Sequence, residues 1–226
     1  YLDIALSHGT TTMASYCTTA PASVTAYFEA AQSRGMRVVG GKTCMDRNAP
    51  DGLIDTAQSA YDDSKDLIDT WHGRGRLSYA ITPRFSPTST PEQLAALGGL
   101  WQERPDCLMQ THLSEQTEEI AWARSLFPEA RDYLETYAQF GLLGARGLYG
   151  HAIHLEPREI DQLADVGASV VHCPTSNTFI GSGLFDLMGL AQAGVSMGLA
   201  TDIGGGSNFS MLRTMAAAYE VGQLRG

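Results

Sequence analysis

The chain has 226 residues, with 15 Lys plus Arg against 25 Asp plus Glu and a net charge of −10. Its basic side chains are scattered, which disfavours nucleic acid and anionic membranes as partners. No apolar run nears the roughly 18 residues that a membrane-spanning helix needs, and no signal peptide opens the sequence. The cysteines Cys17, Cys44, Cys107 and Cys173 form no CxxC pair and sit beside apolar segments, which predicts reduced, mostly buried thiols in a cytoplasmic protein.

The opening YLDIALSHG reads as the last turns of a helix closed by Gly9 at the left-handed C′ position. With no initiator Met, further sequence upstream of Tyr1 is expected. TTMASY (11–16) predicts a first strand, SVTAYFEAAQSRG a helix and RVVGGKT (37–43) a second strand. DTAQSAYDDSKDLIDTWHG predicts a helix with a solvated acidic face, and LSYAIT (77–82) a third strand. In TPEQLAALGGLWQE, Thr90 is placed as N-cap, Pro91 as N1 and Gln93 as N3 of the next helix. CLMQTH (107–112), GLYGHAI (147–153), SVVHC (169–173) and VSMGLAT (195–201) complete seven strands. EPREIDQLADVG is helical between the fifth and sixth of them, and SMLRTMAAAYEVGQLRG closes the chain as a helix.

Strand and helix in repeated alternation predict a parallel sheet covered by helices. An open doubly wound sheet would carry a GxGxxG cradle after its first strand, and none is present; the glycines at 181–183 and 204–206 follow late strands. The expected fold is therefore α/β, a (β/α)8 TIM barrel forming a single domain over 1–226. Seven of its eight strands are visible, the missing one being expected upstream.

Barrel chemistry sits at the C-terminal ends of strands. Those ends carry Arg84 and Phe85 in TPRF, His112 and Glu115 in THLSE, His151 in YGHAIH, His172 in VHCPTSN and Asp202 in TDIGGGS. Imidazole nitrogen and carboxylate oxygen suit Zn²⁺, and His112 and Asp202 are the best ligand candidates. Two donors are too few for tight binding, so others are expected upstream. Glu115, three residues past a strand end, can lean over the mouth and move a proton.

Plainer roles compete with these. Glu115 could be a helix-start carboxylate behind a Ser114 cap. Arg84 could form a surface salt bridge, and Asp202 could cap the next helix. His151 could be a ligand, a water-orienting group or structural. His172 could face the wall or the mouth, and His8, His72 and His154 read as structural or surface residues.

GTTTMASY, TPRFSP, QTHLSE, YGHAIHL, HCPTSN and TDIGGGSNFSML, spread over residues 9–212, resemble the metal-dependent amidohydrolase superfamily, and within it the branch that deaminates guanine. The resemblance implies hydrolysis of guanine to xanthine and ammonia at one zinc, held in part by His112 and Asp202. It implies a water-orienting role for His151, a proton shuttle in Glu115 and a purine clamp in Arg84 and Phe85, with His112, Glu115 and Asp202 also facing the substrate. Asp202 would accept the water proton as well. Lys42, considered as a carboxylated bridge between two metals, lies on the wrong strand for that. The branch's first-strand HxH pair, the glutamine and tryptophan after it and the flanking β-sandwich are absent from these residues, so activity is expected of a parent protein rather than of this segment alone. Relatives acting on another purine or an s-triazine would share the chemistry, and a non-catalytic barrel remnant serving as an interaction module is the rival. The expected partner is a small purine; a homodimer is compatible with this picture.

Overall fold

A computed structural model describes all 226 residues, Tyr1–Gly226. Helix α1 (Leu2–Ser7) ends where Gly9 takes a φ of +83°. The strands are β1 (Thr12–Tyr16), β2 (Arg37–Gly41), β3 (Thr43–Cys44), β4 (Leu77–Pro83), β5 (Leu108–Leu113), β6 (Gly147–His151), β7 (Ser169–His172) and β8 (Ser196–Leu199). The helices between and after them are α2 (Pro21–Ser33), α3 (Ala57–Trp71), α4 (Pro91–Glu103), α5 (Thr117–Leu126), α6 (Glu135–Ala138), α7 (Pro157–Asp165), α8 (Pro174–Ile180), α9 (Leu187–Gln192) and α10 (Met211–Arg225).

Strands pair in the order β1-β2-β4-β5-β6-β7-β8, every pair parallel, and β3 pairs with β4. Each of the seven predicted runs forms strand. RVVGGKT alone breaks, at Lys42, between β2 and β3. The Lys42 side chain is fully buried and its ammonium donates to Asp55 Oδ2 at 2.5 Å. Just before it, Gly41 packs so tightly on β4 that a Cβ there would lie 1.8 Å from the Ala80 carbonyl oxygen.

The sheet curls. Gln110 on β5 donates from Nε2 to the Ser15 carbonyl on β1 at 3.0 Å and to Thr82 Oγ1 on β4 at 3.1 Å. Because β1 and β5 are three places apart in the sheet, only a wrapped sheet brings these atoms together across its concave side. β1 and β8 pair on one side only, so the assembly is a half-barrel.

Helices cover the outer face. Val38, Tyr79, Ile81, Met109, Tyr149 and Val170 from the strands join Phe28, Leu67, Leu97 and Leu163 from the helices in one cluster of 37 buried residues. Each large apolar side chain so buried contributes about 1.5–3 kcal/mol. Thr90 caps α4 as its sequence predicts, accepting from the Gln93 amide, with Pro91 at N1. No helix is long and apolar enough to cross a membrane.

Candidate active site

The C-terminal ends of β4, β5 and β6 and the segment after β8 open into a cleft of about 250 Å³. Arg84, Phe85, His112, Glu115, His151 and Asp202 all line it, so of the strand-end residues named from the sequence only His172 stays outside.

Backbone strain collects at this rim. Five non-glycine residues have positive φ, and four of them are Ser114 (48°), His151 (69°), Ala152 (52°) and Asp202 (48°). The left-handed region costs about 1–2 kcal/mol for an L-residue, so the surrounding fold must enforce it. At β6 its effect is visible. Tyr149 points into the helical layer, where its hydroxyl donates to the Leu142 carbonyl, and a regular strand would send residue 151 the same way. The turn at His151 sends that side chain into the cleft instead.

Asp202 is held by a similarly tight turn. The Gly205 amide donates to the Asp202 carbonyl at 3.0 Å, and the Gly206 amide closes on the same oxygen. A Cβ on Gly206 would sit 1.9 Å from the Thr201 carbonyl oxygen, and one on Gly205 would sit 2.9 Å from Asp202 Oδ2. The next helix, α10, begins only at Met211 and is capped by Ser210, so Asp202 is not its cap.

Glu115 is not a helix-start carboxylate either. The N-cap of α5 is Gln116, with Glu119 completing a capping box, while Ser114 Oγ is buried without a partner. Glu119 Oε2 accepts the amides of both Glu115 and Gln116 at 3.2 Å, and its Oε1 accepts the Tyr133 hydroxyl at 2.5 Å. Glu115 is thus held outside the helix, over the mouth of the half-barrel.

His112 is tied to the Arg84–Phe85 segment. Its amide and its Nδ1 both reach the Arg84 carbonyl, at 3.1 and 2.8 Å. A carbonyl only accepts, so Nδ1 carries the proton and the Nε2 lone pair is free. Burial holds the His112 pKa below its ordinary value, which keeps the ring neutral, as a metal ligand must be. The guanidinium of Arg84 lies over the Phe85 ring at 4.5 Å and makes no ion pair. The surface salt bridge considered for Arg84 is therefore not formed.

Burial pushes the Glu115 carboxyl up to about 7, and the nearby carboxylates of Glu119 and Asp202 add to the shift. Burial, then the neighbouring His112, pushes His151 down to about 3. Glu115 Oε1 and His151 Nδ1 are 3.2 Å apart, and the His112 and His151 rings stack with centroids 5.2 Å apart.

The donor set suits a borderline divalent cation in part. One free imidazole nitrogen from His112 and one carboxylate from Asp202 face the same cleft, and a catalytic zinc takes three such protein ligands. His151, Cys173 and Asp202 also bring donor atoms within 4.8 Å of one another. Cys173 is buried, which raises its pKa far above the usual thiol range, and its Sγ donates to the Val171 carbonyl at 3.5 Å.

The remaining histidines lie elsewhere. His172 belongs to the wall, stacked on Phe185 at 4.2 Å and 11°, with both ring nitrogens buried and unpaired. His154 Nε2 meets the Ser182 carbonyl at 2.7 Å, His72 Nδ1 accepts the Tyr79 amide at 3.0 Å, and His8 stacks near Phe209. Asn177, Ser182 and Glu119 bond to Glu115, Tyr133 bonds to Glu119, and none of the four was singled out from the sequence. Only Glu119 left a local signal, the Gln116-x-x-Glu119 spacing of a capping box.

Residues 3–225 match the model of the amidohydrolase family. The chain is 51% identical over 221 residues to guanine deaminase of Escherichia coli (strain K12), covering 98% of this chain and 50% of that protein. It superposes with a TM-score of 0.97 on a guanine deaminase from Bradyrhizobium japonicum, at 43% identity, covering 99% of this chain and 49% of that one. On a guanine deaminase from C. acetobutylicum with guanine bound in its active site the TM-score is 0.96, at 30% identity and with 99% and 54% of the chains covered. The chain spans about half the length of the curated relatives it matches.

Proposed function

This chain belongs to the amidohydrolase family, and from that premise we propose that it supplies the proton-handling and substrate-holding part of a hydrolytic guanine deaminase. One observation carries the reading: a single cleft is lined by a guanidinium–aromatic pair, an imidazole with a free nitrogen, a carboxylate, and a carboxyl group whose pKa is raised to about 7. The likeness to guanine deaminases along almost the whole chain supports the same substrate.

Arg84 and Phe85 hold the purine, the guanidinium donating to its polar edge and the ring lying against its face. His112 and Asp202 would supply two of the protein ligands to one zinc, and the ion would make a water acidic enough to attack near neutral pH. His151, kept neutral by burial, orients that water. Glu115 takes a proton from the water and delivers it to the ring nitrogen beside C2 as the oxygen adds to C2. The added oxygen then gives its remaining proton to the amine, the C2–amine bond breaks to release ammonia, and the oxygen is left as the new carbonyl of xanthine. A carboxyl group with a pKa near the working pH can both accept and release a proton, which suits this relay.

The test is turnover by the full-length protein reconstituted with zinc, read as paired release of xanthine and ammonia. Guanine should be converted, and Asp202→Ala should lose both metal and turnover. A zinc-loaded protein that leaves guanine intact while hydrolysing another purine or an s-triazine would overturn the substrate.

A further inference from the structure

Asn177 lies on α8, is 1% exposed, and is not one of the groups assigned above to substrate or metal. Its side-chain nitrogen faces three acceptors at once: His151 Nδ1 at 3.0 Å, Glu115 Oε1 at 3.2 Å and Ser182 Oγ at 3.4 Å. An amide NH₂ has two hydrogens, and the two nearest acceptors are the imidazole and the carboxylate. Those two groups are themselves 3.2 Å apart. With an ionised Glu115 and no proton on Nδ1, that would be a contact between lone pairs. The amide resolves it by donating to both.

Two consequences follow. A hydrogen donated to His151 Nδ1 requires a lone pair there, so the ring's single proton sits on Nε2, away from Glu115. Second, both hydrogen bonds to the Glu115 carboxylate, from Asn177 Nδ2 and from Ser182 Oγ at 3.3 Å, fall on Oε1. Oε2 carries none and is left free to exchange protons in the cleft. The reversed amide would set Asn177 Oδ1 against a carboxylate oxygen, oxygen against oxygen, so the donor orientation is the favourable one while Glu115 is charged. In this orientation Oδ1 is buried without a partner, a cost the fold bears in order to present the NH₂ to the pair.

We propose that Asn177 is a positioning residue that fixes His151 as its Nε2–H tautomer and anchors Glu115 by Oε1, leaving Oε2 to move the proton. Its importance for turnover rests on the roles proposed above for Glu115 and His151; the tautomer does not.

The full-length protein carrying ¹⁵N-labelled histidine tests this by long-range ¹H–¹⁵N correlation, the His151 signals being identified by their loss in His151→Gln. The wild type should show the Nε2–H tautomer. Asn177→Asp, nearly the same shape but an acceptor where a donor stood, should move the proton to Nδ1; Asn177→Leu should do the same or give a mixture. Turnover by Asn177→Leu should fall about 10- to 100-fold in kcat with KM changed less than about threefold, as for other residues that orient a site from behind, and zinc content should be unchanged. A wild-type His151 protonated on Nδ1, or one tautomer shared by wild type and Asn177→Asp, would overturn the proposal. A wild type inert toward guanine would instead overturn the substrate reading and leave the tautomer result standing.

Discussion

Glu115 shows how one side chain's setting determines its chemistry. An ordinary carboxyl would be fully ionised at neutral pH and a poor acid. Here burial, reinforced by Glu119 and Asp202, brings it to about 7, where both forms are populated. In the role proposed for it, Glu115 is the group that first accepts the water proton and must be ionised, so kcat/KM should fall as pH drops through about 7, or through a lower value once a nearby cation favours the charged form. Glu115→Gln should retain zinc and lose roughly 10² to 10⁴ in kcat, the usual contribution of a positioned acid or base. It should also abolish that acid limb in whatever rate remains. Retention of both rate and limb would remove Glu115 from the mechanism. The identity of Glu115 was legible in the sequence because THLSE places it just past a strand end. Its pKa was not, since that depends first on burial, which no local pattern shows, and in smaller part on Glu119 and on Asp202, the latter 87 residues further along the chain.

At the scale of elements, the alternation of β-rich runs with longer helical segments carried the fold, and Thr90 before Pro91 marked a helix start. What was not legible was short or long-range. β3 has two residues, and α8 and α9 have seven and six, too few turns for a hydrophobic period to register. Asn177 therefore had no predicted helix to sit on. Helix α4 holds a contrast that sequence could not rank, two adjacent glycines in a helix interior. A Cβ on Gly98 would lie 1.8 Å from the Phe140 carbonyl oxygen, whereas one on Gly99 meets nothing within 4 Å. Alanine gains about 0.5–1 kcal/mol over glycine in a helix. Gly99→Ala should therefore raise the thermal midpoint slightly. Gly98→Ala must push α4 off the segment after α6, and should lower the midpoint through a loss of stability typical of overpacking, about 1–3 kcal/mol. Equal shifts for the two variants in a thermal melt would contradict the packing described for α4.

Over the whole molecule, the curl of the sheet depends on contacts such as Gln110 to Ser15, 95 positions apart, which no local pattern announces. The same folding buries ionisable groups that do not line the cleft, and these give stability a readable pH dependence. Glu159 is 1% exposed. Burial raises its carboxyl to about 7, against the opposing pull of the Glu156 and Leu134 amides that donate to it. A pKa raised in the folded state means a contribution fully present below the unfolded value near 4.5 and lost as pH rises through about 7. His172 has the opposite sign. Its pKa falls to about 4 through burial, so its contribution is complete above about 6.5 and is lost as pH falls through 4. Between about pH 4.5 and 6.5 the two slopes oppose each other, and wild-type stability should be nearly flat with respect to this pair. Glu159→Gln removes one slope. Whatever constant penalty it carries for a lost acceptor, its stability should gain on the wild type with rising pH by up to about 1.4 kcal/mol per unit until about pH 7, and then run parallel. His172→Phe should gain on the wild type as pH falls from about 6.5 toward 4. Urea unfolding of the metal-free proteins across this range reads both differences directly. Curves that stay parallel to the wild type throughout would show that neither group changes its proton affinity on folding.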